Sequence, residues 1–208
     1  MEYNQNEFEL SIQKFYTPEE LDILQHAVIG ILGAGGIGSN CAISLARSGI
    51  RHFIIDDMDT VELSNLNRQS YFPQQVGAYK VDALTEILTH INPNITVEKY
   101  TDFLTKDTIL QHFSNAHILV EAFDKVESKV DFFSAISDVT VPCIMISGIA
   151  GIGKSDELGV TKMGDNLYIV GDKHSSITDD CPYAPRVAIA ANKQADIVLA
   201  LLLGKDVL

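Results

Sequence analysis

Read for its apolar positions, the chain alternates short unbroken apolar runs with longer segments whose apolar residues recur every three or four places. Residues 7–25 read as one or two short helices, with Pro18-Glu19-Glu20 suited to a helix start. AVIGIL (27–32) has the nearly continuous apolarity of a strand buried on both faces. A Gly-rich turn follows, then a helix on which Ile37, Cys41 and Leu45 repeat every four residues before Gly49 ends it. HFIID (52–56) is a second buried strand, and VGAYKVDALTEILTHI (76–91) is helical, closed by Asn92-Pro93. TVEKY (96–100), HILVEAF (117–123) and VPCIMIS (141–147) read as further strands, with helices near 105–113 and 125–137 between them. MGDNLYIVGD (163–172) suits a hairpin or an edge strand, and PRVAIAANKQADIVLALLLG (185–204) a long, buried helix. The alternation predicts an α/β class: a Rossmann-like, mostly parallel sheet with helices on both faces and a mixed or antiparallel C-terminal extension.

Two stretches compete as phosphate loops. GAGGIG (33–38) leaves the first strand and opens the next helix, which is the context that a dinucleotide fingerprint needs. Gly33 permits the tight turn, Gly35 lets backbone approach a phosphate, and Gly38 lets helix and strand pack closely. Asp57, after the second strand, stands where a carboxylate accepts ribose hydroxyls. GIAGIGKS (148–155) also fits a pattern, G-x-x-x-x-G-K-[ST]. The segment after its Lys154-Ser155 holds Gly159 and Gly164 and then strand-like alternation, a poor helix, so the match reads as chance.

The neighbours of the first loop narrow its ligand. DMDTVELSNLNRQ (57–69) supplies two carboxylates, an amide pair and an arginine directly after the strand. Lys80 falls among the first turns of a helical stripe formed by Val76, Ala83, Ile87 and Ile91. A lysine aimed at the sheet is costly unless it meets an anion, whereas one that snorkels to water is not. An arginine with a lysine suits a triphosphate better than a dinucleotide.

GAGGIGS, DMDTVELSNLNRQ, the lysine of VGAYK and the aspartate of EAFDK together resemble the ThiF/MoeB/HesA adenylyltransferases, the bacterial relatives of ubiquitin-activating enzymes. The resemblance covers roughly residues 20–204 and is nearest to the short ThiF-like branch. It implies one domain over 1–208, with a nucleotide-binding half at 27–147 and a carrier-binding loop and final helix at 148–208. It also implies ATP as the nucleotide. Gly33, Gly35, Gly36 and Gly38 would line it, and Asp57 would hold its ribose. Asn65, Arg68, Gln69 and Lys80 would bind the triphosphate. Asp124 would coordinate Mg²⁺, with Asp59 a helper, although a strand-end aspartate also suits a helix N-cap. The implied reaction is adenylation of the C-terminal glycine of a small ubiquitin-like sulfur carrier (ThiS-like), in thiamine biosynthesis. The implied assembly is a homodimer.

Cys181 and Lys14 keep their alternatives. Cys181, in DDCPYAPR, is either a covalent nucleophile of the crossover region or an incidental loop cysteine. Asp179 and Asp180 beside it would raise its pKa, while Arg186 and the helix start would offset that. Cys41 and Cys143 lie on apolar segments and read as core thiols. Many relatives complete the ATP site with an arginine from the partner's N-terminal region. Here Lys14 is the only lysine or arginine in the first 46 residues, so either it substitutes for that arginine or the contact is missing.

Composition trims the remaining options. Three scattered cysteines without a C-x-x-C pair suit a reducing, cytoplasmic setting and give no thiolate zinc site. IVLALLL (197–203) is far short of a bilayer span, so no membrane is expected. A net charge of −13 speaks against nucleic acid. The alternatives to carrier activation are an ATP-dependent tRNA-modifying enzyme of the same superfamily, against which that charge counts, an NAD- or FAD-dependent oxidoreductase, and a non-catalytic relative.

Overall fold

A computed structural model describes residues 6–137, 139–176 and 180–208. Five strands fall on the predicted segments: β1 (Val28–Leu32), β2 (His52–Asp56), β3 (Thr96–Tyr100), β4 (Ile118–Glu121) and β5 (Cys143–Ile146). The hairpin β6 (Gly159–Met163) and β7 (Leu167–Gly171) completes a seven-stranded sheet of order β3-β2-β1-β4-β5-β7-β6. Every neighbouring pair is parallel except β6 with β7. The expected 163–172 hairpin thus begins earlier, and β7 is an interior strand that pairs β5.

Helices α1 (Glu7–Ile12), α2 (Pro18–His26), α3 (Gly36–Arg47), α4 (Lys80–Ile91), α5 (Lys106–His112), α6 (Val126–Ile136) and α7 (Ala184–Leu202) account for the helical segments. Thr17 and Glu20 close a capping box at the start of α2, directly before Pro18. Alternate strand residues feed two cores. Ile29, Ile31, Phe53, Ile55, Ile118 and Val120 pack with residues of α3, α4 and α7 on one face. Leu32, Ile54, Leu119 and Cys143 pack with residues of α5 and α6 on the other. This is the period-two pattern of a sheet covered twice.

One helix starts later than its apolar stripe suggested. Gly77 has φ +91°, and α4 begins only at Lys80, leaving Val76 outside the helix and 41% exposed. A left-handed residue in that turn stops the helical stripe from extending back to Val76.

A buried ion pair fastens α1 to the far ends of β2 and α4. Arg51 Nε and Nη2 each donate to Glu9 at 2.7 Å, and Asn92 and Asn94 add amide donors at 2.9 Å. Both charged side chains are almost wholly buried. Burial alone would raise the Glu9 carboxyl, but the donors from Arg51, Asn92 and Asn94 together hold it below its ordinary 4.5. A carboxyl depressed in the folded state stabilises above its unfolded pKa, and that stabilisation is lost as the pH falls through the folded value. Glu9→Gln should therefore cost about 3 kcal/mol near neutrality, because it leaves the Arg51 charge buried. Urea titrations should show wild-type stability declining below pH 4.5 more steeply than that of the variant.

Candidate functional site

The strand order reverses at β1, with β2 and β3 on one side and β4 to β7 on the other. In such sheets the crevice beyond the strand ends at the reversal is the ligand site. Here it is a cleft of about 560 Å³. It is lined by the Gly-rich turn, the ends of β2 and β4, the start of α6 and the loop after β5.

The turn is built on close backbone contacts. Gly33 has φ +100°, and its N–H donates to the Asp56 carbonyl at 2.9 Å. A Cβ on Gly38 would lie 1.8 Å from the Gly33 carbonyl oxygen, so the first turn of α3 rests directly on the turn's backbone. A Cβ on Gly36 would press on Val187 of α7 at 2.9 Å. At Gly35 it would meet only Gln69, at 3.9 Å, which leaves the N-terminus of α3 open to the cleft.

Asp57 follows β2 and is one-tenth exposed. One carboxylate oxygen accepts the Ala34 N–H at 2.7 Å and the other the Asp59 N–H at 2.9 Å. Burial pushes this carboxyl up, against the pull of Lys80 and those two N–H groups. Lys80 is 6% exposed, and its Nζ lies 2.7 Å from Asp59 and 3.7 Å from Asp57. The lysine is therefore aimed inward and held by carboxylates, as its burial requires. Tyr71, which the sequence reading passed over, donates its buried hydroxyl to the Ala34 carbonyl at 2.6 Å and so ties the turn to this segment. A tyrosine two residues after the NRQ triplet was the available signal.

Arg68 and Gln69 line the cleft. Arg68 donates to the Asn67 side chain at 2.8 Å, and Gln69 keeps a buried, unpartnered Oε1. Asn65 is placed differently. It is not among the cleft-lining residues, and its side chain accepts the Glu62 N–H at 3.0 Å, holding the short helical turn Leu63–Asn65. Asp124 is exposed on the cleft wall and makes no ion pair or hydrogen bond among the described residues. It is not the N-cap of α6, which is Lys125.

Behind that wall, Glu121 is fully buried and accepts Lys129 Nζ and the Phe123 N–H at 2.7 Å each, and the Ile146 N–H at 3.2 Å. Lys129 also donates to the Ile146 carbonyl at 2.9 Å, so this pair fixes the ends of β4 and β5 to each other. On the opposite side, Asp56 is buried against His112, with Oδ2 2.9 Å from Nδ1.

The second loop is not a phosphate loop. Lys154 has φ +49°, is 75% exposed and lies 3.6 Å from Glu157, and only a short 3-10 turn (Ser155–Glu157) follows. Gly148 and Ile149 nonetheless line the cleft. Arg186 holds this loop from α7, donating to the carbonyls of Gly153 at 2.6 Å and Lys154 at 3.0 Å and pairing with Asp172 at 2.6 Å. That occupancy corrects the expectation that Arg186 would offset the acidic neighbours of Cys181, since its guanidinium is committed elsewhere. Cys181 is exposed, and its carbonyl accepts the Gly151 N–H at 2.9 Å. Asp179 lies outside the described residues. Cys41 and Cys143 are buried thiols, each pushed up to about 12 by burial. Lys14 lies over the Phe15 ring at 5.0 Å and does not line the cleft of its own chain.

A family model described as "ThiF family" matches residues 8–207. The chain belongs to the ThiF family. It is 30% identical over 156 residues to the tRNA threonylcarbamoyladenosine dehydratase of Escherichia coli, covering 74% of this chain and 58% of that protein. It is 32% identical over 138 residues to the ubiquitin-like modifier-activating enzyme 5 of Caenorhabditis elegans, covering 64% of this chain and 33% of that enzyme. The matches thus span between about a third and three fifths of these curated relatives. The crystal structure of the E. coli dehydratase in complex with ATP superposes with a TM-score of 0.84 at 22% identity, over 93% of both chains. That likeness bears out the Rossmann-like fold.

The comparisons overturn one expectation. Activation of a ThiS-like carrier in thiamine biosynthesis is displaced by tRNA threonylcarbamoyladenosine dehydratases, which recur among both the sequence relatives and the structural neighbours. The cause of the error is plain. Most of the motif residues behind it line this one cleft, and they do not specify the acceptor. Among the described residues no helix is long and apolar enough to cross a membrane.

The two lysines separate the two loops experimentally. Lys80→Ala should weaken equilibrium binding of ATP by at least about tenfold, as loss of a charged hydrogen bond does. Lys154→Ala should change it by less than about twofold, the scale of an exposed pair. Calorimetric titration of both variants checks this, and the reverse pattern would restore GIAGIGKS as the phosphate loop.

Proposed function

We propose that the chain uses ATP to adenylate a carboxylate presented at the mouth of this cleft, and that the carboxylate is carried by a threonylcarbamoyl-modified adenosine in tRNA. One observation carries the reading. The open N-terminus of α3, Arg68, the buried Lys80 and the unengaged Asp124 converge on a single cleft at the strand-order reversal. The recurrence of tRNA-modifying dehydratases among the relatives supports the acceptor.

The chemistry balances as a dehydration. A carboxylate oxygen attacks the α-phosphorus, an acyl–O–P bond forms, and the bridging α–β P–O bond breaks to release pyrophosphate. A nucleophile within the same threonylcarbamoyl group then attacks the activated carbonyl and loses its proton. AMP departs with the former carboxylate oxygen. Overall, ATP becomes AMP and pyrophosphate while the nucleoside loses one water.

The protein's part is positioning and fixed charge. The N–H groups at the start of α3 point at the phosphates, and Asp57 is placed to meet the ribose. Lys80 exchanges Asp59 for phosphate oxygens as pyrophosphate leaves. Asp124 offers a free carboxylate of the kind that Mg²⁺ shares with phosphate oxygens, and the ion would neutralise charge between them. The net charge of −13 is an average over the whole surface. The cleft walls hold Arg68, Lys80, Lys125 and Lys129 beside Asp56, Asp57, Asp59, Asp102 and Asp124, so the choice of tRNA as acceptor is supported by the relatives and not by the charge of the cleft. A homodimer belongs to the proposal, supported by the exposed Leu63, Phe72 and Tyr79 in the segment that follows Asp59.

The test supplies ATP, Mg²⁺ and tRNA bearing the threonylcarbamoyl group. The expected result is AMP and pyrophosphate in equal amounts with loss of one water from the modified nucleoside, read by mass spectrometry. Asp124→Ala should slow it by at least about a hundredfold. Pyrophosphate release that ignores the tRNA, with no change in nucleoside mass, would remove tRNA as the acceptor.

A further inference from the structure

The base end of the cleft carries a polar group that the adenylation chemistry does not use. Asp56, the last residue of β2, lines the cleft with no exposed surface. Its Oδ2 is 2.9 Å from His112 Nδ1, while its Oδ1 is buried and has no hydrogen-bond partner. Beyond the imidazole, His112 Nε2 lies 3.4 Å from Asp102 Oδ2, and the ring stacks on Tyr100 with centroids 3.7 Å apart and planes 5° from parallel. Burial pushes the Asp56 carboxyl up to about 6, against the pull of His112, so above that pH it is ionised and its free Oδ1 can only accept.

An unmatched buried acceptor is costly, and a native cleft that keeps one has a use for it. The walls beside it are suited to a flat ring: Met58 and Phe103 are exposed side chains on the cleft, and Leu104 is buried behind them. With phosphates at the start of α3 and ribose at Asp57, the base of the nucleotide falls on this side, over the ends of β2 and β3. We propose that Asp56, held by His112, is the specificity-determining residue of the base subsite and accepts the exocyclic amine of adenine. The proposal rests on the reading of the cleft as an ATP site and deepens it. Purines with a carbonyl at the same ring position would set an acceptor against an acceptor, the arrangement that polar sites reject most strongly. Asp102 supports the imidazole and does not read the base.

The experiment compares equilibrium binding of ATP, ITP and purine riboside 5′-triphosphate, which lacks any substituent at that position. The wild-type protein should favour ATP over the analogue without the amine by at least about tenfold, and over ITP by more. Asp56→Asn, whose amide can turn to donate or accept, should bring ATP and ITP within about threefold of each other. Asp102→Asn, at an exposed side chain, should keep the wild-type order. Equal wild-type affinity for ATP and the amine-free analogue overturns the proposal without needing any variant. So does an order unchanged by Asp56→Asn in a protein of native circular dichroism, or an order lost in Asp102→Asn. Failure of all three nucleotides to bind would instead remove the ATP site itself, and this assignment with it.

Discussion

The contact on which the site depends is backbone against backbone: the Cα of Gly38 packed on the carbonyl of Gly33. A Cβ there would stand 1.8 Å from that oxygen, so no other residue type fits without moving the helix. The contact seats α3 on the end of β1, and the rest follows from its position. The α3 N-terminus faces the cleft, Ala34 presents its N–H to Asp57, and the other side of α3 is left for α7 to cover. Tyr71 then bonds the same turn from below, which brings the segment carrying Arg68 and Gln69 to the rim. That one helix–turn crossing thereby sets the spacing between the N–H groups of α3 and the Asp57 carboxylate.

Charge is arranged around that frame in a particular way. Lys80, Lys129, Arg51 and Arg186 are all largely buried and each is met by a carboxylate. Three of these pairs are structural, since Glu9, Glu121 and Asp172 are themselves enclosed and bonded from several sides. The fourth differs. Asp59 is 60% exposed, so Lys80 is held by a partner that solvent can reach. A cation whose nearest partner is open to solvent is the one able to change partners when an anion arrives.

Much of the fold was legible because burial on both faces leaves a strong mark. Runs such as VIGIL and CIMI have few polar residues to confuse the reading, and Gly33 to Gly38 declares its turn by composition. The start of α4 was misplaced because Val76 continues the helical stripe although Gly77 breaks the backbone. Within the site, the motif residues were found but their partners were not. The roles of His112, Tyr71 and Arg186 rest on contacts such as those with Asp56, Ala34 and Gly153, which lie 56, 37 and 33 residues away and which no local spacing encodes. Asn65 shows the converse: it stands within a recognisable block, yet its amide is spent on the turn that carries Arg68. The acceptor was misjudged for a related reason. The motif residues line a cleft suited to a nucleotide and do not specify what that nucleotide activates.

Arg186 also bears on how the protein comes to be folded. Its guanidinium, in the first turn of α7, gathers the carbonyls of residues 149, 153 and 154 and the carboxylate of Asp172. Residues 148 and 149 form part of the cleft wall, so α7 completes the contacts that hold that wall, alongside the bonds of Ser147 and Gly148 to the end of β7. During synthesis the Gly-rich turn, β2 and Lys80 leave the ribosome more than a hundred residues before Arg186 does. The early segments can pair and pack as a half-sheet, but a closed cleft waits for the late helix, whose contacts are long in sequence and slow to form. Binding competence is therefore one of the last properties the chain acquires, and a nascent or C-terminally shortened product would hold the motif without the pocket.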